Sequence, residues 1–312
     1  MKLNNSTFLE ESLKKWKSLF IKEKKALNAS KNTIKQYNRA LEEFIEFAYL
    51  ERVNNDESLK VENIKRYFII AFVEYLKEKN LSLKTIKTYL DIVYMFLLFM
   101  SYYNDDGVDL LYRHKKVTIK LPQHEIIVFN EDEMNKFEIY FSKSFQSSKS
   151  YFKYKNILVL YLLSITGARF NEIATLQFKD IELENDIYKI KLKGKGNKER
   201  YVYIRKNKLQ PYLSKLLSLY PKEKLDYLFL SKDNQSLPYN TLRDFFKRAC
   251  QNLLIPQHKR NLHNFRHTYA TNLLKKGVNL KVVSEILGHS DVTITAKYYA
   301  KVDEEEKKKA MI

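Results

Sequence analysis

The stretch FKDIELENDIYKIKLKGKGNKERYVYI, residues 178–204, decides the fold class because it is the part of the chain typical of β-structure. Three short strand segments follow one another in it, over 178–183, 187–192 and 200–204. Asn and Asp at 185–186 supply a turn between the first two segments, and the glycine-containing segment 193–198 supplies a turn between the last two. We therefore predict a small three-stranded antiparallel sheet.

The remainder of the chain has the apolar spacing of α-helices. This spacing runs over 34–48 and 86–100 before the sheet region, and again over 130–145 and 154–165. Ser30 and Ser82 precede the first two of these helices, where a hydroxyl can cap the free amides of a helix start. The predicted fold is therefore mainly α with one small sheet.

The helical periodicity breaks over 113–130, a segment that contains Pro122. We interpret this break as the boundary between two domains, and a chain of 312 residues is long enough for both. The prediction is a helical domain over 1–120, a linker over 121–129 and an α+β domain with a C-terminal tail over 130–312.

The charge balance favours a polyanionic partner. The formal net charge is +19, and each phosphate that Lys or Arg neutralises releases counterions. Near two helix starts of the first domain, cations occur without any anion, which suits phosphate contact. The candidate DNA contacts there are Lys31, Lys35, Arg39, Lys84 and Lys87. A solvated basic face is the alternative interpretation for each of them.

Cysteine usage and hydropathy indicate the compartment. Cys250 is the single cysteine, so no internal disulfide is possible, which fits a reducing compartment. Its apolar helical neighbours favour a packed core thiol over a nucleophile. The N-terminus lacks an apolar signal region, and the longest apolar run, 92–100, is far shorter than the ~20 residues of a membrane span. We expect a cytoplasmic protein without a membrane segment.

Two segments place a cation where phosphate can approach. In TGARFNEI, residues 166–173, Arg169 lies at a bend beside a helix start, which suits a bidentate grip on phosphate. A salt-bridged helix cap is the alternative. In GKGNKER, residues 194–200, the glycines on either side of Lys195 allow a tight hairpin tip that approaches a ligand closely. An ordinary exposed β-turn is the alternative there.

Two further segments add histidine and tyrosine. In LHNFRHTYA, residues 262–270, His263 and Arg266 are three apart and so lie on one helical face. A zinc site of His263 and His267 fails for want of a Cys or carboxylate partner nearby. In the last segment, His289 of LGHS is followed nine residues later by Tyr298. Taken alone, that tyrosine is one of 23, and packing would explain it.

In this order, the residues resemble the tyrosine recombinase (phage integrase-like) family. Three strings are similar to the pattern of bacterial Xer recombinases: TGAR with the following EI, GKGNKER, and LGHS. The resemblance covers about 130–302, and the first domain resembles, more weakly, the family's helical core-binding domain. It implies two domains that form a clamp around DNA.

The resemblance also implies a mechanism. Tyr298 would attack a scissile phosphodiester and form a 3′-phosphotyrosyl intermediate, which conserves the bond energy without ATP. Arg169 and Arg266 would bind the non-bridging oxygens of the phosphate, whose charge grows in the transition state. Because cations surround the phosphate, we expect neither a catalytic metal nor another cofactor.

The other residues have supporting roles in this scheme. Lys195 would protonate the leaving 5′-oxygen, His263 would assist proton transfer at the nucleophile, and His289 would donate a hydrogen bond to a non-bridging oxygen. Glu172 would orient Arg169 or its loop. Lys198 and Arg200, beside the hairpin tip, are added to the candidate DNA contacts.

The sequence leaves several alternatives open. Tyr299 adjoins Tyr298, and only the spacing from His289 favours Tyr298 as the nucleophile. Within the family, the compact length favours an Xer-type recombinase in chromosome dimer resolution over an integrase of a phage or mobile element. A type IB topoisomerase and a non-catalytic DNA-binding regulator are the rival classes.

The expected partners follow from the same resemblance. They are a double-stranded DNA recombination site, further copies in a homo-tetramer on two duplexes, and a cell-division DNA translocase. The tail that ends at Ile312 either docks on a neighbouring subunit or is a solvated helix.

Overall fold

The computed structural model describes residues 1–55, 58–111, 116–122, 125–194, 198–220, 226–288 and 295–296. The chain divides into two compact units, Met1–Gln123 and His124–Ile312. This division falls inside the range 121–129 that the sequence assigns to a linker. The expected fold class, mainly α with a small three-stranded antiparallel sheet, is confirmed. No helix in the described part of the chain is both long and apolar enough to cross a bilayer.

The first unit is helical throughout. Its α-helices are α1, Leu9–Ala26; α2, Lys31–Asn54; α3, Arg66–Glu78; and α4, Leu83–Tyr103. The two predicted caps are confirmed, since Thr33 N donates to Ser30 Oγ at 3.1 Å and Thr85 N donates to Ser82 Oγ at 3.2 Å. Each hydroxyl thereby satisfies an amide that has no partner inside its helix.

Aromatic side chains fill the core of this unit. Trp16 is fully buried, and its indole nitrogen donates to the Leu3 carbonyl at 3.0 Å. Phe20 and Phe44 are also fully buried and pack edge to face against other rings. Such pairs add specificity of packing to the burial of apolar area. The unit therefore has a hydrophobic core of its own.

The second unit combines its sheet with helices that pack against it. They are α5, Glu131–Ser147; α6, Tyr151–Thr166; α7, Phe170–Ala174; α8, Lys206–Leu219; α9, Tyr239–Asn252; α10, His263–Lys275; and α11, Leu280–Leu287. Helix α6 is buried on nearly every side and forms the centre of the core. Cys250 on α9 is fully buried, as its apolar neighbours predict.

The sheet has the order β1-β2-β3, with both pairs antiparallel. The strands are β1, Ile181–Glu184; β2, Ile187–Lys193; and β3, Glu199–Arg205. The predicted start of the first strand at 178 is wrong. Phe178–Asp180 forms a 3₁₀ turn, in which the Asp180 carboxylate accepts a hydrogen bond from Gln177 N at 3.1 Å. That local cap competes with strand pairing, as short acidic side chains commonly do.

Candidate active site

Arg169 lies at the junction of α6 and α7. Helix α6 ends at Gly167, which has a positive φ of 60°, and a Cβ there would lie 2.5 Å from Cδ1 of Tyr269. Only glycine fits this position without displacing the ring. The chain then turns so that Arg169 becomes the N-cap of α7. Arg169 therefore lies at a bend beside a helix start, as predicted.

Glu172 anchors Arg169 from inside the same turn. Its carboxylate accepts hydrogen bonds from Arg169 N at 2.7 Å and from Arg169 Nη1 at 3.0 Å. Arg200 Nη2 donates to Oε2 of the same carboxylate at 2.7 Å, and this is the oxygen that also accepts from Arg169 N. Burial alone would raise the pKa of Glu172, but the hydrogen bonds and charges of the two arginines hold that pKa below its ordinary value. Glu172 is therefore an ionised, buried bridge between two cations.

Arg266 approaches the same place from α10. Its guanidinium donates to the Gly167 carbonyl at 3.0 Å and to the Leu287 carbonyl at 2.7 Å. Arg169 Nη1 also donates to the Leu287 carbonyl, at 3.5 Å. Two of the predicted phosphate ligands, 97 residues apart in sequence, thus meet at one backbone oxygen. They differ in exposure, because Arg266 is buried whereas 37% of the Arg169 side chain is exposed.

The C-terminal end of α11 holds three arginines. Arg200 donates to the Ile286 carbonyl, Arg266 to the Leu287 carbonyl, and Arg169 Nη2 to the Gly288 carbonyl at 3.1 Å. The last carbonyls of a helix have no partners within it and carry partial negative charge. They therefore stabilise a cluster of cations that would otherwise repel one another. We call Arg169, Arg200, Arg266 and Glu172 the arginine cluster.

His263 begins α10 and lies beside the arginine cluster. Its ring is 4.9 Å from the ring of His267, edge to face. Desolvation by the surrounding atoms, followed by the charges of His267, Arg266 and Arg169, lowers the pKa of His263 to about 4. The side chain still has an exposed surface. The imidazole is therefore neutral near pH 7, in the form that can accept a proton.

Arg200, one of the predicted DNA contacts, is largely buried in the structure. Only 10% of its side chain is exposed, and its guanidinium is bound to Glu172 and to the end of α11. Strand alternation is the physical reason, since Arg200 shares its face of β3 with the buried Val202 and Ile204. The same alternation is a sequence signal that could have placed Arg200 inside. Its neighbour Lys198 is exposed, and its carbonyl accepts from Gly194 N at 2.8 Å.

Several predicted site residues lie outside the described residues: Lys195, His289, Tyr298 and the alternative Tyr299. Two glycines that adjoin them are described. A Cβ on Gly194 would lie 3.5 Å from Glu172 Oε1, and a Cβ on Gly288 would lie 2.7 Å from Arg200 Cδ. The chain positions just before Lys195 and just before His289 therefore both pack against the arginine cluster.

The basic residues predicted at the helix starts of the first unit are at its surface. Lys31, Lys35, Arg39 and Lys84 are exposed, and within the described ranges none of these four forms an ion pair. Lys87 differs because it pairs with Asp91 at 3.4 Å, and Asp91 also binds Lys116 at 3.0 Å. Partial neutralisation by Asp91 makes Lys87 the least available of the five for phosphate.

The described side chains suit phosphate binding better than metal binding. Among the residues that the structure describes, no three His, Cys, Asp or Glu side chains come together as a metal site would require. The arginine cluster has three positive charges and one negative charge. An exposed guanidinium with cationic support, next to a neutral imidazole, can bind a phosphodiester and accept a proton beside it.

Comparisons with known proteins agree with this geometry. The model of the phage integrase family matches residues 128–306, and the phage integrase SAM-like domain matches residues 12–97. Tyrosine recombinase XerH of Helicobacter pylori is 29% identical over 304 residues, which cover 92% of this chain and 81% of the relative. Tyrosine recombinase XerC of Pediococcus pentosaceus is 30% identical over 250 residues, covering 75% and 77%.

Solved structures share the fold. XerH site-specific recombinase bound to palindromic difH substrate, in a post-cleavage complex, has a TM-score of 0.84 at 24% identity, covering 100% of this chain and 98% of that chain. The Tn1549 transposon integrase in complex with transposon right end DNA has a TM-score of 0.64 at 17% identity, covering 96% and 99%. The chain belongs to the phage integrase family. It is a tyrosine recombinase, an enzyme that cleaves and rejoins DNA.

Proposed function

We propose that this recombinase works at the arginine cluster, with Tyr298 as nucleophile, and that it acts in Xer-type chromosome dimer resolution. The observation that supports the site is the meeting of Arg169 and Arg266 at the Leu287 carbonyl, with neutral His263 beside them. The Xer-type assignment is supported by the similarity to tyrosine recombinases XerH and XerC. The enzyme then acts on chromosomal DNA in the cytoplasm.

The proposed chemistry exchanges one phosphodiester bond for another and so conserves its bond energy. The hydroxyl oxygen of Tyr298 forms a bond to phosphorus while the bond from phosphorus to the 5′-oxygen breaks. His263 receives the phenolic proton, and Lys195 gives a proton to the leaving 5′-oxygen. The products are a 3′-phosphotyrosyl link and a free 5′-hydroxyl. Rejoining is the reverse reaction with the 5′-hydroxyl of a partner strand, so no ATP is needed. Arg169, Arg266 and Lys195 supply the positive charge that a metal ion provides in other phosphoryl-transfer enzymes.

The charges of the arginine cluster stabilise the transition state in this scheme. Attack raises the negative charge on the non-bridging oxygens, which favours fixed donors that need not reorient. Arg169 has the exposed guanidinium that makes the first contact. Arg266 is buried and fixed by the Gly167 and Leu287 carbonyls, so it is a donor whose position is set in advance. His289 donates a further hydrogen bond to a non-bridging oxygen, and Glu172 holds Arg169 in position.

The wider assembly follows from the same proposal. The helical unit over 1–120 is the core-binding domain, joined by the linker 121–129 to the catalytic domain over 130–312, and together they enclose DNA. Exposed cations of the first unit contact the phosphates: Lys31, Lys35, Arg39 and Lys84, with Lys198 from the second unit. Four copies assemble on two duplexes, and a cell-division DNA translocase is the proposed activating partner.

A covalent-trapping assay tests the chemistry. The probe is a nicked suicide duplex that carries a candidate recombination site from the source genome. We expect a covalent protein–DNA adduct with the native chain and with Tyr299→Phe, and no adduct with Tyr298→Phe. An adduct that persists in Tyr298→Phe and disappears in Tyr299→Phe would move the nucleophile to Tyr299. Tight DNA binding by the native chain without any adduct, on every candidate site, would contradict the proposed function.

A further inference from the structure

Arg200 links three parts of the candidate active site, and we propose that it is a positioning residue for DNA cleavage rather than a DNA contact. This inference rests on the proposed function, because it assigns Arg200 a part in the same cleavage step. It differs from a catalytic role, since the guanidinium of Arg200 is already bound to Glu172 and to the Ile286 carbonyl. Arg200 acts through Glu172 and through the end of α11.

The contacts of Arg200 join elements that are distant in sequence. One guanidinium nitrogen donates to Glu172 Oε2 at 2.7 Å, and the other donates to the Ile286 carbonyl. Glu172 in turn holds the main chain and side chain of Arg169. Arg200 therefore connects strand β3 to the start of α7 and to the end of α11 at once.

The packing beside Gly288 makes this link tight. A Cβ on Gly288 would lie 2.7 Å from Arg200 Cδ and 3.2 Å from Arg200 Nε. Gly288 also has a positive φ of 65° and gives its carbonyl to Arg169. The residue that precedes His289 is therefore held between two arginines. A shift of Arg200 would change the geometry of Arg169 and the direction in which the chain leaves α11.

Charge supports the same role. Three arginines and Glu172 leave the arginine cluster with a net charge of +2. Attack on a phosphodiester raises its charge from one negative unit to two, so the cluster matches the transition state better than the ground state. Arg200 contributes one of those charges from a site where water is largely excluded, which strengthens its effect. Direct contact with DNA would require its guanidinium to leave a buried carboxylate.

The experiment separates cleavage from binding. Arg200→Met removes the charge and the donors, and Arg200→Lys keeps the charge but cannot bridge Glu172 and Ile286 with a planar fork. Arg205→Met is the matched control, because Arg205 lies on the same strand and is exposed. Single-turnover cleavage of the suicide duplex is measured at saturating enzyme, well below the melting temperature. Affinity for uncleaved DNA is measured as a function of salt.

We expect Arg200→Met to slow cleavage by about 100-fold, the loss typical of a displacement near 1 Å in a catalytic group. Arg200→Lys should fall between this variant and the native chain, and Arg205→Met should cleave at the native rate. All four proteins should bind DNA with the same salt slope. A loss of stability alone would not move the cleavage rate of fully bound, folded enzyme.

The other possible results distinguish a failure of the proposed function from a failure of the positioning role of Arg200. If the native chain forms no covalent complex, the proposed function fails, whatever the variants do. If Arg200→Met and Arg200→Lys cleave at the native rate, the positioning role is overturned. A decrease in the salt slope by about 1 with uniform loss of affinity would restore Arg200 as a phosphate contact.

A double variant provides a second test that does not depend on a single substitution. If Arg200 acts partly through Glu172, the loss of cleavage rate in the double variant Glu172→Gln with Arg200→Met should be smaller than the product of the two single losses. Multiplicative losses would overturn the link. Should Arg200→Met prove too unstable to bind DNA, Arg200→Lys alone decides, and a native cleavage rate in that variant would overturn the proposal.

Discussion

Replacing Glu172 with glutamine removes one negative charge from the arginine cluster while keeping the shape of the side chain. The carboxylate is 2% exposed and accepts hydrogen bonds from Arg169 N, Arg169 Nη1 and Arg200 Nη2. A glutamine has a single acceptor oxygen and presents an NH₂ group to one of the two guanidiniums. The variant therefore leaves a buried cation facing a donor.

The magnitude follows from the burial of the pair. Removing one partner of a buried ion pair costs about 3–5 kcal/mol because the remaining charge is left uncompensated. Arg169 is partly exposed and can turn toward water, whereas Arg200 cannot, so we expect a cost near ~3 kcal/mol for Glu172→Gln. For a unit of this size each kcal/mol lowers Tm by roughly 2–4 °C, so Tm should fall by roughly 6–12 °C.

The chain contains an internal control for this experiment. Trp16 is its single tryptophan and lies in the core of the first unit. Tryptophan fluorescence therefore follows the first unit, whereas calorimetry and circular dichroism follow both units. In Glu172→Gln we expect calorimetry and circular dichroism to show a transition at a lower temperature than in the native chain. The transition followed by Trp16 fluorescence should keep its native temperature. Glu182→Gln, on the exposed edge of the sheet, is the matched control and should melt like the native chain.

The reasoning would be refuted if Glu172→Gln melted within about 1 °C of the native chain by every probe, a change equivalent to less than about 0.5 kcal/mol. Such a result would mean that the two arginines are stabilised by the α11 carbonyls alone. The dependence of stability on low pH gives a second test. Because the two arginines hold the pKa of Glu172 below its ordinary value, its contribution to stability is complete above the unfolded-state pKa and disappears as the pH falls through the lower folded-state pKa.

Three further predictions concern other parts of the second unit. The pKa of His263 is lowered to about 4, so the ratio of the native cleavage rate to that of His263→Gln should stay constant from neutral pH to about pH 5. A fall in this ratio centred near pH 6.5, the ordinary pKa of histidine, would contradict the prediction. Burial raises the pKa of the Cys250 thiol to about 12, so an aromatic disulfide reagent should react with it only in concentrated urea, and rapid reaction of the native chain would disprove its burial. Leu254 is 83% exposed at a φ of 57°, so Leu254→Gly should raise the free energy of unfolding in urea by about 0.5–1 kcal/mol, and a decrease would count against backbone strain there.

Local features of the fold were predictable from the sequence because they depend on neighbouring residues. The caps at Ser30 and Ser82 involve amides three residues away. The turn at 185–186 joins strands whose alternation is visible in the sequence. Gly167 ends its helix in the left-handed conformation that a C-terminal glycine predicts. In each case the interaction that forms the feature lies within a few residues.

The interior of the candidate site was less predictable because its contacts are long-range. Arg200 and Glu172 are 28 residues apart, and Arg169 reaches the Gly288 carbonyl across 119 residues. No local sequence pattern specifies that these groups meet. Every residue has a backbone carbonyl, so the sequence does not mark which carbonyls will bind an arginine. The family resemblance predicted Arg169, Glu172, His263 and Arg266 as one site, but it did not predict that Arg200 lies inside.

Besides the Glu172 carboxylate, backbone oxygens at 286–288 hold the three arginines. The side chains at these positions can therefore be substituted without changing the backbone oxygens that face the arginine cluster. Helix length has no such freedom. One residue inserted into Leu280–Leu287 would rotate the final carbonyls by about 100° and advance them by about 1.5 Å, away from all three guanidiniums. The geometry of the site thus depends on the phase of a short helix as much as on the identity of its side chains, so an insertion or deletion there should be more damaging than a substitution.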